Sequence, residues 1–466
     1  LSYSDVTGVS TVSSRNQSVG GLVGYLHAST VNNSTSAATV TAHSSNAGGL
    51  AGEAHGSSSI VDSSASGNVT NTATSNSSVS EFGGLVGGTG SVTISRSFAS
   101  GDVFVTGSKT GSTFGGLVAS GYPTISDSYA TGDVTATGDN IGGLVGSGWH
   151  PNISITDSYA TGEVSGGSYV GGLIGLNKGT IKTSTTTSTS AVTGTGNFIG
   201  GLVGANGSLT SKSASITGSS SASSVSATSG EYIGGLVGAS YGPVTNSNAS
   251  GLITVGANAF AVGGLLGASY GALSNAANNT ASVAAGAGTA ALGTLIGLHS
   301  STKGTSVSSG TLTLGGSVVT TPSQLGLYYT DGLISTIDQL SEIKYFSNKN
   351  YTLVNDLDMA GISFTPISFY GLGAAPASGE SMPVFDGGNF TISNLGITKS
   401  SSLVGLFGEI SYGSVKDLNL NAATIAGNNQ TGALAGKISN GLISNVTASN
   451  VDVTGACSFS AISVTK

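Results

Sequence analysis

The pentapeptide Gly20-Gly21-Leu22-Val23-Gly24 returns with small changes every 27 to 35 residues, beginning again at 48, 83, 115, 142, 171, 200, 234, 263 and 293. The most regular copies open Gly83-Gly84-Leu85, Gly142-Gly143-Leu144, Gly171-Gly172-Leu173, Gly200-Gly201-Leu202 and Gly234-Gly235-Leu236. A period of this length marks an array of like units, each too small to bury a core of its own. Stability in such an array comes from stacking one unit on the next.

A second pattern runs inside the same period. Ile or Val is followed three residues later by Ser and nine residues later by another Val or Ile. The clearest copies are Ile94 to Val103, Ile125 to Val134 and Ile155 to Val164; weaker ones run from Val31, Ile60, Ile216 and Val244. One unit therefore holds three short apolar runs parted by Gly, Ser, Asn and Asp, which predicts an all-β, three-sided coil of parallel strands. At about 30 residues per coil the chain makes roughly 12 to 15 coils.

Composition agrees with strands. The 38% of hydrophobic residues are rich in Val, Ile and Leu, while Glu, Lys and Arg, which favour helices, are scarce. Only 7% of residues are charged and the net charge is −8. Arg occurs at 15 and 96 alone, which argues against nucleic acid, since counterion release needs clustered cations. A polybasic membrane patch is missing too, and no run of about 18 apolar residues suggests membrane insertion. The lone Cys457 leaves no partner for an intrachain disulfide. Leu1 opens the chain and neither end reads as a cap, so we expect a processed product or a piece of something longer, with ends that continue or stack on other copies.

Stacked coils predict columns of like residues about 4.8 Å apart. Phe82, Phe114, Ile141, Val170, Ile199, Ile233, Val262 and Leu292 precede the Gly pairs and should face the core. Ser34, Ser63, Ser97, Ser128, Ser158, Ser219 and Ser247 form a second column, small enough for a crowded corner. The Gly pairs call for a corner with positive φ, or for backbone approaching too closely for a Cβ.

These residues resemble the GLUG-motif repeats of large bacterial surface proteins and secreted adhesins. The likeness rests on Gly-Gly-Leu-Val-Gly and on stretches such as Ile125-Ser-Asp-Ser-Tyr-Ala-Thr-Gly-Asp-Val134. The resemblance implies a right-handed parallel β-helix, an extracellular or cell-surface setting and a stalk or adhesive role. The pattern lapses between about 298 and 403. There Ser335 to Ile343 suggests a short helix, and the stretches 351–359 and 385–395 look like the lead-in coils of such repeats. Coils resume at Gly405 and Gly432. The expected organisation is a β-solenoid over 1–300, an irregular linker over 301–335 and a second solenoid segment over 336–466.

Few constellations suggest chemistry. Asn68, Asp102, Asp133 and Glu163 share a column that could hold Ca²⁺ or simply cap turns. Asn33, Asp62, Arg96, Asp127 and Asp157 form another, read as an ion-pair ladder with Arg96 between two aspartates. Phe98, Tyr129 and Tyr159 predict an aromatic row suited to stacking or to a sugar. His27 and His55 repeat in successive coils with Glu53 nearby, and His43 would complete a zinc set. Asp356, Asp358 and Asp386 are the nearest approach to the paired carboxylates of a polysaccharide lyase or glycoside hydrolase. No residue is given a catalytic, metal or cofactor role. The reading is a non-catalytic extracellular solenoid, the shaft of an adhesin or the subunit of a filament. Its expected partners are other copies of itself, end to end or laterally, and cell-surface glycans or proteins.

Overall fold

The computed structural model describes residues 4–6, 11–14, 18–42, 46–71, 81–106, 111–187, 190–208, 211–276, 279–299, 305–320, 325–328, 332–335, 337–343, 350–362, 364–370, 382–399 and 402–455. Arg15, His43 and Cys457 lie outside them. The chain divides into two compact units, Leu1–Tyr328 and Tyr329–Lys466.

The first unit is a parallel β-solenoid. One coil lays down five short strands, for example Ile141–Gly142, Val145–Gly148, Ser154–Thr156, Tyr159–Ala160 and Val164–Gly166. Each strand pairs with its counterparts one coil before and after, building five sheets of 9 to 12 strands. The three apolar runs expected per coil are present, but two of them bend. The first bends at Gly143-Leu144, the second at Asp157-Ser158, so five sheets stack where three were expected. Among the described residues the stack runs eleven strands deep in the longest all-parallel sheet of the first unit, and the longest parallel run of the second unit is five strands deep, beside two sheets of three.

The column from Phe82 to Leu292 is in register through all eight members. Seven are fully buried and Leu292 is partly so. Ile94, Ile125, Ile155, Ile181 and Ile216 form a second buried column, and Val103, Val134, Val164, Val192 and Val225 a third. Each coil thus buries the same apolar area against its neighbours, the condition for a stack without cross-links.

The Gly pairs owe their identity to crowding. Neither Gly142 nor Gly143 has positive φ. A Cβ on Gly142 would lie 1.9 Å from the Val145 carbonyl oxygen, and one on Gly143 2.1 Å from the Gly172 carbonyl oxygen and 2.9 Å from the Ala160 Cβ. The coil is therefore thin at this point, with Gly on one wall facing Ala on the other. Of the two reasons expected for glycine, close approach is the operative one.

The serine column closes the second bend. Each serine hydroxyl donates to the carbonyl two residues earlier, as Ser97 to Ser95 at 2.9 Å and Ser128 to Ser126 at 2.7 Å. From Ser63 onward each also accepts the N–H of the serine one coil before, so Ser34, Ser63, Ser97, Ser128, Ser158, Ser184, Ser219 and Ser247 form an unbroken buried ladder. Ser184, which the sequence column does not include, belongs to this ladder as well. The preceding residues Asn33, Asp62, Arg96, Asp127, Asp157 and Thr183 all have φ between 45° and 49°. Asn and Asp tolerate that left-handed turn well, while Arg and Thr adopt it at some cost.

The second unit contains the expected helix, at Ile337–Glu342. Ser335 precedes it, its backbone N–H donating to Gln339 Oε1 at 2.7 Å and its hydroxyl to the same oxygen at 3.0 Å. The lead-in stretches form Tyr351–Leu353, Leu357–Asp358, Val384–Asp386 and Thr391–Ser393. Coils follow at Phe407–Ser411 and Ala435–Ser439 around buried Phe385, Phe407, Leu418 and Leu420. Within 301–335, Leu312–Leu314 and Leu325–Tyr328 pair with the preceding coils and so extend the first unit's stack. No helix among the described residues is long and apolar enough to cross a membrane.

Candidate functional site

The ladders read from the sequence are present, and most of them are satisfied by their own backbone. Asn68 Oδ1 accepts the Asp102 N–H at 2.9 Å, Asp102 Oδ1 that of Asp133 at 3.0 Å, and Asp133 Oδ1 that of Glu163 at 2.8 Å. These acids cap the turn one coil on. Arg96 forks onto Asp62 with bonds of 2.7 and 2.8 Å, a hydrogen bond that lowers the Asp62 carboxyl's pKa. Asp127 enters only as the weakest influence on Arg96, so the arginine is paired to one side rather than held between two aspartates. Phe98, Tyr129 and Tyr159 stack in register, centroids 4.9 and 4.8 Å apart with planes within 3°.

The acids considered for catalysis are also committed to turns. Asp356 Oδ1 accepts the Thr391 N–H at 2.7 Å, Asp358 Oδ1 the Ala360 N–H at 3.0 Å and Asp386 Oδ1 the Gly388 N–H at 2.9 Å. Lys416 pairs with Asp386 at 2.6 Å. Among the described residues no three His, Cys, Asp or Glu side chains converge on a metal position.

What sequence reading missed is a crease on the outside of the coil, formed by two positions seven residues apart in every repeat. One lies two residues before the Gly pair: Ser18, Asn46, Glu81, Thr113, Asn140, Tyr169, Phe198 and Tyr232. The other directly follows the motif: Tyr25, Glu53, Gly88, Ser120, Ser147, Leu176, Ala205 and Ala239, in register down one sheet. The chain bends between the two at Gly-Leu, which brings their side chains together. The fixed offset from an obvious motif was the signal available in the sequence.

In the first five coils the crease is polar. Glu53 Oε1 accepts the Ser18 hydroxyl at 2.6 Å and the Asn46 amide at 2.8 Å, and Glu53 Oε2 lies 3.2 Å from His55 Nε2. Glu81 Oε1 accepts the Ser120 hydroxyl at 2.5 Å. Burial pushes the Glu81 carboxyl up; the Ser120 bond opposes this and the charge of Glu53 adds to it. Tyr25 stacks on His27 and on His55, with centroids 6.2 and 5.6 Å apart. So the two histidines are in register and serve as an aromatic surface. Further on, Tyr122 meets Trp149 edge-on at 5.2 Å and His150 at 4.8 Å.

From the sixth coil the crease is filled with rings. Tyr169 stacks on Phe198 at 4.6 Å and Phe198 on Tyr232 at 4.9 Å, while Leu176 and the buried Ala205 and Ala239 hold the second position. Tyr241 stacks on Tyr270 at 4.8 Å. Burial, then the neighbouring tyrosines, push both hydroxyls well above the ordinary range.

The family model of the GLUG motif matches residues 15–41 and 43–70, so the chain carries GLUG repeats. No curated protein and no solved structure matches it.

Proposed function

We propose that this GLUG-repeat protein is an extracellular structural β-solenoid, the shaft of a cell-surface adhesin or the subunit of an extracellular filament, acting by attachment or self-association and without catalysis. The observation that carries the reading is the unbroken register of the first unit. Core columns, Gly pairs and serine ladder repeat coil after coil with few side chains left for chemistry. Such a stack is a stiff scaffold that repeats its outer columns at each step, which suits weak contacts multiplied along its length. The acids that a polysaccharide-cleaving alternative would use are engaged in backbone turns.

Electron microscopy of the unheated protein across a concentration series, run beside cell-attachment assays, tests this. Filaments of uniform width support the filament form, and single particles that bind cells support the shaft. Absence of both, or release of reducing or unsaturated ends from a polysaccharide panel, would overturn the proposal.

A further inference from the structure

We propose that the polar stretch of the crease, flanked by Tyr25 at one end and at the other by Trp149, two residues beyond Ser147, binds a short saccharide segment that is uncharged or amine-bearing. The inference rests on the attachment reading above and names the ligand class. Its first ground is what the same scaffold does elsewhere. Half-buried Leu176 and buried Ala205 and Ala239 take one position there, and the stacked Tyr169, Phe198 and Tyr232 take the other. In the first five coils the positions instead hold Ser18, Asn46, Glu53, Glu81, Ser120 and Ser147. Glu81 is half-buried and burial pushes its carboxyl up, so ionising it there costs stability that an Ala or a ring would not.

The second ground is that the stretch leaves groups unused. Tyr25 is 55% exposed and Trp149, the only tryptophan of the chain, is 48% exposed. Thr113, paired with Glu81 in the strand ladder, keeps its hydroxyl buried without a hydrogen-bond partner among the described residues. Exposed aromatic faces with a few placed polar groups between them are the makings of a ligand site.

The chemistry narrows the ligand. The Glu53 carboxylate disfavours anions such as acidic sugars and phosphates, while ring faces attract weakly positive C–H surfaces and ammonium groups. A carboxylate accepts hydrogen bonds from hydroxyls and amines. A peptide would dock by strand addition, but strand backbones here already pair within their sheets, and the crease offers side chains only. Tyr25 and Trp149 stand four coil steps apart, about 19 Å, the reach of a short oligosaccharide.

Titration calorimetry of the full chain with chitotetraose, its deacetylated amine form, cellotetraose and an oligogalacturonate, backed by a printed glycan array, provides the test. Binding of a neutral or amine-bearing saccharide is expected, with the oligogalacturonate excluded; preference for the deacetylated form assigns the amine, preference for the others the neutral ring. Trp149→Ala and Tyr25→Ala should each weaken binding by about tenfold or more, whereas Tyr159→Ala, in the separate aromatic row, should not, with circular dichroism confirming the fold of each. No saccharide binding across the array, or binding that survives the Tyr25→Ala/Trp149→Ala double variant, overturns the inference. Cell attachment retained by that double variant overturns it too while leaving the attachment reading intact. Saccharide binding without cell attachment sustains the inference and counts against the shaft.

Discussion

The two stretches of the crease share a backbone plan and differ in what they do with it. From Tyr169 onward, half-buried rings stack 4.6 to 4.9 Å apart, and the other position holds Leu176, Ala205 and Ala239. From Ser18 to Asn140, hydroxyls, amides and two carboxylates occupy equivalent places. Tyr169, Phe198 and Tyr232 hold φ between 54° and 65°, a left-handed conformation rare for bulky residues, which Asn140 shares at 57° and Ser18, Asn46, Glu81 and Thr113 do not adopt. Stacking of the rings offsets that strain. Core columns fix register, and the outer positions are then free to serve either stability or contact.

The hardest way to break the comparison is to remove the scaffold common to both stretches. Gly143→Leu places a side chain against the Gly172 carbonyl and Ala160. It should destabilise the first unit by at least about 3 kcal/mol, read by urea denaturation. Unchanged stability would show that the coil is not thin there. Next comes a paired truncation. Phe198→Ala, losing half-buried contacts on both faces of its ring, should cost about 2 kcal/mol, while Trp149→Ala in the polar stretch should cost under about 0.5 kcal/mol. Equal costs would erase the distinction drawn between the stretches.

Glu81 sharpens it through pH. A carboxyl raised in the folded state holds its proton above the pH at which the unfolded chain releases it. Stability therefore falls as pH rises from the ordinary glutamate range through the folded value, and is fully present below both. Glu81→Gln should raise the melting temperature at pH 7 and leave it unchanged near pH 4; a lowered melting temperature at pH 7 would mean that the ionised form is the stabilised one. A small loss, about 0.5 to 1 kcal/mol, is expected from Tyr159→Ala at the end of the Phe98–Tyr129 stack, measured by thermal melts. A much larger loss would make that row a structural element on a par with the filled crease.

Sequence reading went furthest where one residue type recurs at one place in the period. The Phe82–Leu292 column, the Tyr129–Tyr159 stack and the Asp102–Asp133–Glu163 turn ladder were legible because strand register turns a period into a contact. Ser184 escaped because the Ile181 repeat lacks the flanking signals of its neighbours, yet its hydroxyl completes the ladder. The crease escaped for a different reason. Its positions hold Ser, Glu, Thr, Asn, Tyr and Phe in turn, so nothing recurs but the offset, and the Ser18–Glu53 and Glu81–Ser120 bonds each join coils rather than neighbours in sequence.

By itself the sequence determined that this chain is a stack of parallel β-coils with a Val, Ile and Leu interior. A repeated apolar pattern too short to bury itself has no other stable arrangement than stacking. The tertiary structure decided that each coil bends into five strands, that paired glycines mark a thin wall rather than a left-handed turn, and that an acidic, aromatic-edged crease runs beside a filled one. Those outcomes depend on how closely walls approach and which side chains meet across a bend, distances set only when neighbouring coils are packed together.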